Sequence, residues 1–131
     1  MAKFITPTDD IIVQEGTFGF SFIASGAISG AQLVKMAGPM MVTKATSPTD
    51  NAIGIAAYTV TKGETVDVYG PYNIVRSYLA SSAAVGTALY VSDLGGFNSG
   101  GTATPVGSTW PCVGIALEPK KSGSTCKILL K

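Results

Sequence analysis

Apolar residues come in short runs along this chain, each closed by glycine, proline or a cluster of small polar residues. No stretch keeps the spacing of a long amphipathic helix. The clearest unit is Ala52–Val68, AIGIAAYTVTKGETVDV, an apolar run, a polar turn closed by Gly63, and a second run alternating apolar with polar. That pattern predicts a β-hairpin. It occurs twice: in Cys112–Ile128, CVGIALEPKKSGSTCKI, Gly114, Ile115 and Ala116 stand sixty residues after Gly54, Ile55 and Ala56, and Gly123, Thr125 and Ile128 after Gly63, Thr65 and Val68. Two strands cannot bury an apolar face by themselves, so the duplication predicts two half-units completing a common core.

The other runs fit the same scheme. Residues 1–16 hold Phe4 and Ile5 before Pro7 and the run Ile11–Val13, which predicts an N-terminal arm or an edge strand. Phe18–Ala24 sets Phe18, Phe20 and Phe22 on one strand face, and three phenylalanines on one face predict core. Gln32–Met36 is a further strand, and Gly38–Pro39 and Thr46–Asn51 are turns. After Gly70–Pro71 the order resumes. Ile74–Ala80 matches Phe18–Ala24 at an offset of fifty-six, pairing Tyr78 with Phe22 and Ala80 with Ala24, and the same offset pairs Gly86 with Gly30 and Leu89 with Leu33. Growth of the offset to sixty places a four-residue gain in the loop Ser92–Pro111, which is rich in Gly, Ser and Thr and carries Phe97 and Trp110. The expected architecture is therefore all-β, a compact barrel or sandwich in one domain, 17–131, with similar halves 17–69 and 74–131.

Composition narrows the function. Charged residues make up 13% of the 131 residues and the net charge is +1, so there is no basic field for nucleic acid. No apolar segment is long enough to span a bilayer as a helix, and the N-terminus lacks the apolar region of a secretion signal. A small monomer ordinarily keeps a richly charged surface, whereas this one presents mainly Thr, Ser, Ala and Gly. Much of that surface is expected to be covered by partners.

Candidate chemistry is sparse. The chain has no histidine, which removes His-dependent triads and imidazole ligands. The eight acidic residues are scattered and form no calcium loop, and GGFNSGG lacks the lysine and the following helix of a phosphate cradle. Cys112 and Cys126 fall out of register across their hairpin, and Cys126 takes the place of Val66 in the first copy. Both are expected to be free thiols, with Cys126 a small core residue. No enzyme, cofactor or metal is expected. Trp110 beside Pro111 either covers a barrel end or anchors a subunit or partner contact, as buried aromatics do at interfaces.

The order of Gly54–Ala56, Gly63–Val68, Val85–Val91, Val113–Ala116 and Lys127–Leu130 resembles the small capsid decoration, or cement, proteins of tailed bacteriophages and related viruses. The resemblance implies a non-enzymatic β-barrel or sandwich on the outer capsid surface, commonly a homotrimer at threefold positions, made in the host cytoplasm and stabilising the head. It also implies that Ala2–Gln14 reaches the major capsid protein and that Asp93–Trp110 supplies subunit or lattice contacts. The candidate contact residues are then Phe4, Ile5, Ile11, Ile12, Phe97 and Trp110. The competing readings are the base domain of a head fibre or spike and, from a different class, a glycan-binding module using Trp110 or Tyr72.

Overall fold

The computed structural model describes residues 12–13, 19–99, 110–119 and 124–131, with Ile12, Val13 and Ser124 as backbone. They form eleven strands and no helix: β1 Ile12–Val13, β2 Phe20–Ala24, β3 Leu33–Gly38, β4 Met41–Lys44, β5 Ala52–Ala56, β6 Thr65–Tyr69, β7 Ile74–Leu79, β8 Ala88–Val91, β9 Phe97–Asn98, β10 Gly114–Ala116 and β11 Ser124–Leu130. Strands β2 to β6 close into barrel 1 in the order β2-β4-β3-β5-β6. Strands β7 to β11 repeat the order as β7-β9-β8-β10-β11, and pairing of β7 with β9 closes barrel 2. In each barrel one pair is parallel, β2 with β4 and β7 with β9. Closure removes most exposed sheet edges. β1 adds to β7, pairing Ile12 with Val75.

The hairpins match as the sequence predicts. Ala56 pairs with Val68 in barrel 1, and Ala116 with Ile128 in barrel 2. Gly54 and Gly114 share a steric reason. A Cβ on Gly54 would collide with the Tyr69 carbonyl, and one on Gly114 would come within 2.7 Å of the Ile128 side chain. The facing strand passes too close for any side chain.

The first strands require a correction. Phe22 faces Val66 while Ser77 faces Cys126, Ala24 pairs with Val42 while Leu79 pairs with Phe97, and Val34 pairs with Gly54 while Leu89 pairs with Gly114. These matches are fifty-five residues apart, one fewer than the sequence suggested, and a one-residue slip exchanges inside for outside. Gly86 answers to Ala31, not Gly30. Ala31 (φ 72°) donates its amide to Ala56, and Gly86 (φ 88°) does the same to Ala116. The gain before the second hairpin is thus five residues. It falls after β9, because Phe97–Asn98 is a strand of the barrel and not part of an open loop.

Barrel 1 encloses Ala24, Ile28, Val34, Val42, Ala56, Val60, Val66 and Val68. Barrel 2 encloses Cys126 in place of Val66 and larger counterparts elsewhere, among them Leu79, Leu89, Phe97 and Ile128. Its cluster does not stop at the barrel wall. Ala31, Leu33, Ala45 and Ile55, on the outer face of barrel 1, belong to the same buried cluster. Polar contacts pin this joint: Leu33 N donates to the Gly95 carbonyl at 2.7 Å, Gln32 Nε2 to the Leu94 carbonyl at 2.7 Å, and the buried Ser77 Oγ to the Ala31 carbonyl at 2.6 Å. Burial makes each of these hydrogen bonds costly to leave unmade.

Candidate interaction surface

The sequence-predicted contact residues separate on the structure. Phe4, Ile5 and Ile11 lie outside the described residues. Ile12 contributes its backbone to β1 beside β7. Phe97, expected to present itself from a loop, is instead wholly buried, the largest fully buried side chain among the described residues. The reason is its place in the barrel: it occupies the position of Val42, pointing at the axis. Trp110 is half-buried and sets its ring edge-on to Tyr90, with centroids 5.7 Å apart and planes at 74°. Such a pair fixes Trp110 against β8.

The apolar surface that sequence reasoning missed lies at one rim of barrel 1. Phe20 is 65% exposed, Met36 46% and Met40 59%, and Ile23 is also exposed. The phenylalanine face expected to be core therefore divides: Phe22 packs against the barrel 1 cluster, while Phe20 stands at the rim. Met40 holds a left-handed backbone (φ 54°) in the β3–β4 turn, and its carbonyl accepts the Ile23 amide at 2.9 Å. The run KMAGPMM was the available signal, since three methionines around a Gly-Pro turn are an unusual load of flexible apolar side chains for a tip. Elsewhere Tyr58, Tyr72 and Val85 are exposed.

The polar groups hold turns in shape. Asp50 accepts hydrogen bonds from the Thr46 and Ser47 amides at 3.0 and 3.1 Å and from Lys35 Nζ at 3.1 Å. Partial burial pushes its carboxyl up, but those hydrogen bonds and the Lys35 charge outweigh this and hold it below the usual aspartate value. Glu64 receives the Thr61 amide and hydroxyl at 2.7 and 3.1 Å, which lowers its carboxyl in the same sense. Both carboxylates are engaged by their own loops. Cys112 and Cys126 are thiols rather than a disulfide, and Cys126 Sγ lies 3.2 Å from the Glu118 carbonyl. Among the described residues no three acidic or cysteine side chains gather as metal ligands.

No protein-family model matches the chain, and no curated protein matches it. A solved structure does. It is the N base of head fibre gp8.5 in bacteriophage phi29, with a TM-score of 0.61 over 86% of this chain and 92% of that one, at 18% identity. At this identity the likeness is one of fold, and the side chains at the rims are this chain's own.

Proposed function

We propose that this chain is a structural module of a phage virion, the base on which a head fibre stands, assembling as a homotrimer on the outer surface of the capsid and contacting the major capsid protein. The observation that carries this reading is the match to the phi29 head-fibre base across nearly the whole of both chains. The inventory of side chains supports a role without catalysis: the carboxylates described in detail brace turns, and the exposed features are apolar. The low charge fits a surface covered by other protein. Many copies on one shell hold through avidity, so each contact can be weak.

The resemblance in sequence to capsid decoration proteins supports a second reading, a cement protein that stabilises the head. The two readings share a location and differ in consequence. Particles of the encoding phage made without this chain should keep intact heads and lose their fibres if the chain is a fibre base. If it is a cement protein, those heads should burst at lower temperature or ionic stress. Particles unchanged in both respects would refute the proposal.

A further inference from the structure

We propose that a second copy of this chain docks on the exposed rim of barrel 1, inserting the Val85–Ala88 turn and Ile115 of its own barrel 2, so that the joint between the two barrels of one chain recurs between chains. The inference deepens the self-assembly part of the proposed function.

The argument rests on structural equivalence. Within the chain, barrel 2 provides a socket and barrel 1 a plug. The socket comprises Val75, Val91, Gly95 and Val113, all buried, with the Gly95 carbonyl taking the Leu33 amide. The equivalents in barrel 1, by the strand pairings above, are Phe20, Met36, Met40 and Ile53. Three of these four are exposed and the fourth is half-buried. The same apolar rim is thus built twice, buried in barrel 2 and largely exposed in barrel 1.

The plug shows the converse. Gly30, Ala31, Leu33 and Ile55 of barrel 1 are buried. Their equivalents in barrel 2 are Val85, Gly86, Ala88 and Ile115, of which Val85 is 63% exposed, Gly86 exposed and the other two half-buried. Each half of the joint therefore has a repeat-related copy on the surface, and the exposed copies are complementary in the way the buried ones already are. Turn geometry is shared too: Ala31 and Gly86 both have positive φ, as do Met40 and Gly95. In the joint between chains, the Ala88 amide would approach the Met40 carbonyl as the Leu33 amide approaches that of Gly95.

Such a contact is heterologous, joining different patches on the two chains. It therefore generates a ring if the rotation per subunit closes, as in a trimer, and a filament if it does not. Phe20, Met36 and Met40 would lose their exposure, which accounts for three of the large apolar side chains exposed among the described residues.

Sedimentation of purified protein tests the joint. Met40→Glu destroys the socket and Val85→Glu the plug; both sites are exposed, so far-UV circular dichroism and melting should stay as in the wild type. The wild-type chain should associate beyond a dimer, and each variant should sediment as a monomer at the same concentration. An equimolar mixture should form a one-to-one dimer and nothing larger, since each pair retains a single intact joint. A monomeric wild type, a variant that assembles normally, or a mixture that stays monomeric would overturn the inference. The chain's location is read separately on particles. A wild-type chain that stays monomeric in solution yet is found on the head refutes the joint alone.

Discussion

In barrel 1, Lys35 reaches Asp50 across 3.1 Å and the carboxylate ties down the Thr46–Asn51 turn. At the same two positions of barrel 2 stand Tyr90 and Trp110, edge to face. One turn is therefore clamped by charge, and in the other copy Trp110 itself is held by aromatic packing. The cores differ in the same spirit. Val42 fills the axis of barrel 1 and Phe97 that of barrel 2, where the cluster continues into the neighbouring barrel. One backbone plan thus accepts quite different side chains wherever the surroundings differ, and keeps glycine at Gly54 and Gly114, where the facing strand leaves no room for a side chain.

The comparison can be broken most severely at the axis. Phe97→Ala should cost about 3–5 kcal/mol in urea unfolding, while Val42→Ala at the equivalent site should cost about 2 kcal/mol, because fewer buried carbons are lost. Equal losses would mean that the two interiors are not packed as described. Leu33→Ala comes next. It should remove about 2–4 kcal/mol, and because Leu33 lies between the barrels, calorimetry should show one transition dividing into two. A single transition, merely shifted down, would place Leu33 inside one cooperative unit.

The loop clamps should respond to different variables. Trp110→Ala should cost about 1 kcal/mol, with little dependence on salt or pH. Asp50→Asn should cost about the same or less, since Lys35 is partly exposed and water screens the pair. Its pH dependence identifies it. Asp50 is held below its unfolded pKa, so its contribution is present above the unfolded value and disappears as pH falls through the folded one. Wild type and Asp50→Asn should therefore differ by a constant amount above about pH 4 and converge as pH falls below it. Parallel stability curves throughout would contradict the assignment.

Much of this fold is legible in the chain. The paired hairpins declare themselves because close strand approach demands Gly54 and Gly114, and alternation then sets their faces. The phase of β7 is hidden for a physical reason: Ser77, Tyr78 and Leu79 are all buried, so both faces of the strand are covered and alternation no longer marks the inside. Matching Gly86 to Gly30 compounded the slip, since the left-handed position is filled by alanine in one copy and glycine in the other. β9, only two residues long, falls below any sequence pattern, which is why Phe97 looked like a loop residue. The rim of barrel 1 was harder still. Phe20 reads as core by type, and its position as the first residue of β2 leaves it exposed.

The most direct test of the proposed function is a cryo-EM map of virus particles purified from the source of this sequence, reconstructed without imposing a location for this chain. The account predicts paired five-stranded barrels on the outer face of the head, in threefold clusters, with fibre density rising from them. Barrels inside the head or in the tail, or particles that lack the chain altogether, would contradict it.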